Sequence, residues 1–371
     1  MKVLHLPINI ASQISTTVRG LRMSGVDARG ITEGGNPFQC HDGVEVLPAG
    51  SKDRPLNYAA TRMRAYSSVL TAIRWADIVH YHFGMVALRG GLDLLCARVL
   101  RKPGVIEFWG SDIRIPEVEA ADNEYFASLG SSYEYLKVES YHKSRKTQKR
   151  FSRAGFECVI SSQSMWPYVQ KDLFTKIHLI RQRVLVADYT PSYPDPCKLR
   201  PLVVHSPTAP ALKGTAAVLS AVDELRGRGR DFDFELVQET ARHEALALIK
   251  KADVFLDQFL IGDHGMAALE AMALGKPVLC YIKPSMQRHC PDELPIVNAH
   301  PHNLADALDR LLANGSLRAE LGRHGRAYIE KHHDAVSIAR QLEAIYADLL
   351  VRRRLPATGD LQQAPRIDSG T

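Results

Sequence analysis

Asp257-Gln258-Phe259-Leu260-Ile261-Gly262-Asp263-His264-Gly265-Met266-Ala267-Ala268-Leu269-Glu270-Ala271-Met272-Ala273-Leu274-Gly275-Lys276-Pro277-Val278-Leu279 is the stretch from which the fold can be read. A short apolar run, Val254 to Leu256, ends at Asp257. A loop with glycines at 262 and 265 opens a helix that is apolar all round, the mark of a buried helix. Gly275 ends that helix, because a residue without Cβ tolerates the left-handed turn of a C-cap. Lys276-Pro277 then leads into a second apolar run. Strand, loop, buried helix and strand in this order form one unit of a parallel sheet covered by helices. The helix start presents free N–H groups and a positive dipole end, which together suit phosphate oxygens. Gly265 allows a ligand close to the backbone. Glu270 lies five residues on, about 7.5 Å along the axis. A carboxylate amid apolar neighbours needs a partner, and ribose hydroxyls lie within its reach.

The same alternation extends in both directions. Upstream, strands are expected at Val3–Leu6, Ala28–Ile31, Val44–Leu47, Ile78–Tyr81, Val105–Phe108, Cys158–Ser161 and Ile177–Ile180, with helices between them, one of them spanning Tyr133–Arg153. The proline cluster Thr190-Pro191-Ser192-Tyr193-Pro194-Asp195-Pro196, followed by Pro201, favours extended linker. The alternation restarts at Leu202. The expected organisation is an α/β chain of two Rossmann-like domains facing across a cleft. Residues 1–190 form the N-terminal domain and 191–201 the linker. Residues 202–334 form the C-terminal domain, and a helix over 335–353 packs back toward the first domain. A polar tail over 354–371 is expected to be disordered. Clefts between such domains host ligands.

Composition narrows the function classes. The 371 residues are 45% hydrophobic and 24% charged, as in ordinary globular proteins. A net charge of +6 is mild for this length and shows no interleaved basic and aromatic stripe, so no nucleic-acid partner is expected. Six scattered cysteines, Cys40, Cys96, Cys158, Cys197, Cys280 and Cys290, include no C-x-x-C pair and read as free thiols. No signal peptide or membrane-spanning run is seen, so a cytoplasmic location is expected. The basic stretch Lys143, Arg145, Lys146, Lys149, Arg150 and Arg153, with Tyr141 and Phe151, is either a solvated helix face or a contact with the inner face of the membrane.

The run Gly265-x-x-x-Leu269-Glu270-Ala271-Met272-Ala273-x-Gly275-Lys276-Pro277-Val278 closely resembles the donor-site motif of family 4 glycosyltransferases. Ile10-Ala11-Ser12-Gln13 resembles their first-strand loop, Trp109-Gly110-Ser111-Asp112 their N-domain active-site loop, and Lys213-Gly214-Thr215 their Lys-Gly loop. The pieces follow in the family's order across nearly the whole chain. The resemblance implies the GT-B fold and a hexosyltransferase-like enzyme (EC 2.4) of the kind used in polysaccharide biosynthesis. Its donor would be a nucleotide sugar, UDP- or GDP-linked, and its acceptor a glycan, a lipid-linked sugar or a small molecule. Transfer would retain the anomeric configuration, and no metal and no cofactor beyond the donor would be needed.

Carried over by position, Glu270 would bind the donor ribose. Lys213, with Gly214 and Thr215, would neutralise the diphosphate beside Gly265 and Met266. Ser12 and Gln13 could donate to a phosphate or acceptor, or else cap a helix. Trp109 would face the acceptor, and Asp112 could either contact an acceptor hydroxyl or cap the following turn. Gln238 and Glu239 end a strand of the second domain, where a nucleobase could sit. Three positions depart from the family. Gly262 stands where the family has its first acid, eight positions before Glu270, leaving Asp263 or Asp257 to compensate. Thr208 stands where an arginine is frequent. Trp109 replaces a histidine; it cannot exchange a proton but can stack on a sugar. Asp231-Phe232-Asp233 opens a strand, the wrong end for a ligand site in such sheets. His80 and His82 share a strand face but lack a third ligand, so no metal site is expected. Two rivals stay open: a nucleotide-sugar epimerase on the same fold, and a non-catalytic sugar-nucleotide- or glycan-binding subunit.

Overall fold

The computed structural model describes residues 1–36, 38–48, 55–288 and 294–354. Cys290 and the expected tail, from 355 on, lie outside the described residues. The first half runs β1 (Lys2–Leu6), α1 (Gln13–Met23), β2 (Asp27–Glu33), β3 (Val44–Leu47), α2 (Pro55–Trp75), β4 (Ile78–His82), α3 (Leu92–Val99), β5 (Gly104–Phe108), α4 (Pro116–Asp122), α5 (Glu124–Ala127), α6 (Tyr141–Arg153), β6 (Glu157–Ile160) and β7 (Ile177–Leu179). The second runs β8 (Leu202–His205), α7 (Pro210–Lys213), α8 (Thr215–Gly227), β9 (Asp233–Leu236), α9 (Arg242–Lys251), β10 (Val254–Leu256), α10 (Met266–Ala273), β11 (Val278–Cys280), α11 (Pro284–Gln287), β12 (Ile296–Asn298), α12 (Leu304–Ala313), α13 (Gly315–His332) and α14 (Ala335–Arg354).

Two sheets result, ordered β3-β2-β1-β4-β5-β6-β7 and β12-β11-β10-β8-β9, and every strand pair is parallel. The order reverses at β1/β4 in the first sheet and at β8/β10 in the second. Ligands of open α/β sheets gather at such switch points, beyond the strand C-termini. The expected helix over Tyr133–Arg153 begins only at Tyr141, where the Ser140 hydroxyl accepts the Lys143 N–H at 3.2 Å and caps it. Residues upstream form short 3₁₀ turns instead. Strand β12 and the short helices α4 and α5 are additions that the sequence pattern did not mark.

The proline-rich segment 190–201 holds no helix or strand. It nevertheless packs: Ser192 N–H donates to the Leu274 carbonyl at 2.9 Å, and Lys276 Nζ donates to the Ser192 carbonyl. The chain crosses between the sheets twice, side by side. Val184 and Ala335 exchange with His333 and Val184 carbonyls at 2.8 and 2.9 Å. Beyond that crossing α14 lies on α1, and Ile338, Leu342 and Tyr346 complete the core over Val3, Ile78 and Val105. The helices meet closely at Gly20, where a Cβ would come within 2.7 Å of the Ala335 carbonyl oxygen. In the second half β8 ends in His205, fully buried between the Leu256 carbonyl at 2.9 Å and the Thr215 hydroxyl at 3.0 Å. Burial pushes its pKa down to about 4.

Two outcomes follow from this packing. Gly20→Ala should lower stability by about 1–3 kcal/mol through overpacking, read as a lower urea midpoint with unchanged slope. His205 stays neutral in the folded chain while the unfolded imidazole takes a proton below about 6.5. Its contribution is therefore complete above that pH and is lost as pH falls toward 4. The stability advantage of the wild type over His205→Gln should shrink by roughly 2–3 kcal/mol between pH 7 and pH 4.5. A difference independent of pH in urea titrations would contradict this assignment.

Candidate active site

The loop after β10 and the start of α10 form the centre of the candidate site. Asp257, almost fully buried, accepts the Gly265 N–H at 2.6 Å through Oδ2 and pairs with Lys213 Nζ at 3.0 Å through Oδ1. Lys213 comes from the single turn of α7, held by its carbonyl accepting Phe259 N–H at 3.1 Å. A Cβ on Gly265 would lie 2.9 Å from Lys213 Nζ, so the lysine ammonium and the helix mouth share one place. Gly214 adopts φ +77°, and a side chain there would press on Phe259 and Leu260. Thr215 does not face this place: its hydroxyl is bound to His205.

Glu270 is half-buried, with its Oε1 held by Arg242 Nη2 at 2.5 Å and by the Tyr189 hydroxyl at 2.9 Å. Arg242 also donates to the Tyr189 oxygen at 2.7 Å. Neither partner was legible in the sequence, since Arg242 opens a helix after β9 and Tyr189 precedes the proline cluster. Their nearness arises only from the sheet order. Gly262 takes φ +78°, and a Cβ there would meet Lys283 Cβ at 2.8 Å. Asp263 does not take up the free role beside it. Its Oδ2 accepts the Ser162 and Ser164 hydroxyls at 2.6 and 2.7 Å, and its Oδ1 the His264 N–H at 2.8 Å.

Those serines follow β6, so Asp263 joins the two halves. Other cross-links surround it. Lys283 pairs with Glu119 at 2.7 Å, both buried, and Asn123 Nδ2 donates to the Leu260 carbonyl at 2.8 Å. Gln13 Nε2 donates to the Arg183 carbonyl at 3.0 Å and approaches Met266 Sδ at 3.4 Å, while its Oε1 accepts Arg183 N–H at 3.1 Å. Gln13 is thus engaged by protein groups at the start of α10. Ser12 makes no cap: its hydroxyl accepts Cys40 N–H at 2.8 Å. Ala11 and Ser12 both have positive φ, +46° and +64°, as do Phe83 after β4 and Glu239 after β9. Such backbone strain costs energy and concentrates at functional sites; here these four residues follow three strand C-termini, while Arg101, with φ +51°, follows α3.

Between the halves lies a cavity of about 180 Å³ lined in part by Trp109, Arg114, Ser162, His264 and Gly265. Trp109 stacks near His82 at 6.1 Å and beneath the Arg183 guanidinium at 5.2 Å, and its buried Nε1 has no protein partner. Asp112 does not line the cavity. Its carboxylate accepts Trp109 and Gly110 N–H groups at 3.0 and 2.9 Å, and burial raises its pKa to about 7. It shapes the Trp109 loop from within. Arg114 and His264, which the sequence reading left without roles, lie on the cavity wall together with Glu119 and Asp263. A second, open groove of about 510 Å³ is lined by Phe38, Thr208, Gln238 and Glu239 at the C-terminal ends of β8 and β9. Asp231 and Asp233 pair with Arg200.

The family model described as glycosyl transferase-like matches residues 215–344. No curated protein sequence matches the chain. Among solved structures, sucrose-phosphate synthase from Thermosynechococcus elongatus is similar with TM-score 0.62 at 15% identity, covering 95% of this chain and 100% of that one. A glycosyltransferase from Rickettsia africae has TM-score 0.60 at 13% identity, covering 94% and 98%. Anabaena HepE in complex with UDP has TM-score 0.56 at 14% identity, covering 94% and 100%. The chain thus has the GT-B fold of these enzymes, and its second half matches a glycosyl transferase-like family.

Proposed function

We propose that this chain is a glycosyltransferase of the family 4 type that moves a hexose from a nucleotide diphosphate to an acceptor hydroxyl. One observation carries the reading: a lysine ammonium and the amide mouth of a buried helix meet at a strand switch point, and a half-buried carboxylate lies farther along that helix. Phosphate oxygens would bind Lys213 and the α10 N-terminus, which supply the charge that a metal gives elsewhere. Negative charge growing on the leaving diphosphate is stabilised there, the largest usual contribution to such catalysis. Glu270, steadied by Arg242 and Tyr189, would accept the ribose hydroxyls. The groove at Gln238 and Glu239 is open enough for a base. HepE is described with UDP, with UDP and glucose, and with UDP-glucose, which favours a uridine donor here.

The acceptor hydroxyl would enter through the cavity beside Trp109, with transfer retaining the anomeric configuration. The two halves would then act as acceptor-side and donor-side domains. A lipid-linked acceptor is favoured by α6, whose Lys146, Lys149, Arg150 and Arg153 line a basic groove of about 540 Å³. No helix among the described residues is long and apolar enough to cross a membrane, so contact would be peripheral. Each basic side chain adds about 1 kcal/mol near an anionic surface.

A panel of UDP-, GDP- and ADP-sugars should raise the Tm of the wild type with one nucleotide class. Glu270→Ala and Lys213→Ala should each weaken that binding at least about 10-fold, the loss of one charge-assisted interaction. Equal shifts in wild type and Glu270→Ala would remove Glu270 from the site. Donor hydrolysis or transfer to added acceptors separates an enzyme from a binding subunit, and sugar inversion with donor alone would identify an epimerase. Charge reversal at Lys146, Lys149 and Arg150 should abolish co-sedimentation with phosphatidylglycerol vesicles. Undiminished co-sedimentation would exclude α6 as the contact.

A further inference from the structure

The first sheet carries a polar cluster that the proposed transfer does not use. Register places His5 of β1 beside His80 of β4, and His82 follows on the same face two residues on. Glu107 of β5 lies opposite His82. All four side chains are completely buried. One nitrogen from each of the three imidazoles lies within 4.8 Å of one from each of the others, and His5 Nδ1 and His82 Nε2 are 3.0 Å apart. Sequence reading offers only the i, i+2 pair on β4, because the third histidine is 75 residues away from His80 and is brought in by strand order.

What surrounds the rings has the form of an outer ligand shell. Glu107 Oε2 stands 3.1 Å from His80 Nε2 and 3.5 Å from His82 Nδ1, while Arg183 holds its other oxygen at 2.5 Å. The Tyr346 hydroxyl of α14 is 2.6 Å from His80 Nδ1. A carboxylate behind histidine rings is the usual arrangement that fixes metal-ligating imidazoles, with the metal on the far nitrogens. Those far nitrogens are His82 Nε2, which faces His5, and His80 Nδ1, which faces the Tyr346 oxygen. Of the buried ring nitrogens that make no well-formed hydrogen bond, His80 Nε2 and His82 Nδ1 face Glu107 Oε2, and His5 Nε2 is left without a partner among the described residues. Groups of this kind are costly to bury unsatisfied.

We propose that His5, His80 and His82 bind a divalent transition metal of the zinc class, with Glu107 orienting two of the rings and the Tyr346 hydroxyl beside the remaining position. Three imidazoles suit zinc or its cobalt surrogate. Tetrahedral ligands at zinc–nitrogen distances lie about 3.4 Å apart, so nitrogens now within 4.8 Å of one another close by at most roughly 1.4 Å. Imidazole χ2 angles occupy broad wells and supply such a movement. The ion would pin β1 to β4 and back the wall formed by Trp109, which stacks near His82. It is a structural site, apart from Lys213 and α10, and does not rest on the proposed transfer.

The test uses the full chain, freed of metal with chelator, and Co²⁺ and Zn²⁺ alone as probes, with no nucleotide present. One equivalent of Co²⁺ should bind with the visible absorption of a nitrogen-ligated, low-coordinate ion, and Zn²⁺ should displace it and raise Tm. His5→Gln and His82→Gln should each weaken Co²⁺ binding more than 10-fold, while the surface variant His142→Gln should leave it unchanged. Should the cluster variants fail to fold, the wild-type Co²⁺ spectrum decides alone. Absence of a stoichiometric visible band in the wild type, or equal binding by wild type and folded His5→Gln, would overturn the proposal in favour of a purely hydrogen-bonded cluster. Nucleotide-sugar binding, measured separately, would be unaffected by that outcome.

Discussion

A carboxylate stripped of water must be paired, and Asp257 meets this requirement by tying together the loops of two strands at the point where their sheet reverses. Its two oxygens divide between an amide at the mouth of α10 and the ammonium of Lys213. Each partner constrains a separate loop, so the geometry of the helix entrance follows from a single side chain at the end of β10. Truncating Asp257 would release Lys213 and leave an amide without its acceptor, and losing one member of such a buried pair is far more costly than the pair is stabilising. An anion arriving at this place meets a lysine that retains further N–H donors, so the two acceptors can share it.

The two halves meet through polar contacts more than through a common core. Asp263 with Ser162 and Ser164, Lys283 with Glu119, and Asn123 with the Leu260 carbonyl form one side of the junction. Gln13 and Arg183 form the other. The apolar clusters remain largely separate, with α14 as the element from the end of the chain that joins the first sheet. Interfaces of this kind permit relative movement of the halves more readily than an apolar seam does.

Legibility tracked locality. The α10 unit, the Lys213 turn and most strands are written in short runs whose periodicity and glycines need no distant partner. The half-buried state of Glu270 was likewise readable from its apolar neighbours. What escaped was whatever depends on sheet order: Arg242 and Tyr189 on Glu270, the third histidine beside His80, and the capture of Asp263 by serines from the other half. Asp112 shows the same limit in reverse. Its place in the loop leaves acceptor contact and a local cap equally open, and it is the backbone of Trp109 and Gly110 that claims its oxygens. The start of α6 was missed for a local reason, since the aromatic and charged residues before Ser140 carry a helix-like pattern but settle into 3₁₀ turns.

The packing at Gly262 bears on how such a sequence can change over generations. The backbone is left-handed there, and any β-carbon would collide with Lys283, itself committed to Glu119. A lone substitution by any residue with a side chain would therefore meet a steric and conformational penalty before its chemistry could matter. Lys283 and Asn123 would both have to give way. The glycine is thus a one-way step: a side chain can be gained at this position only together with changes in the residues packed against it.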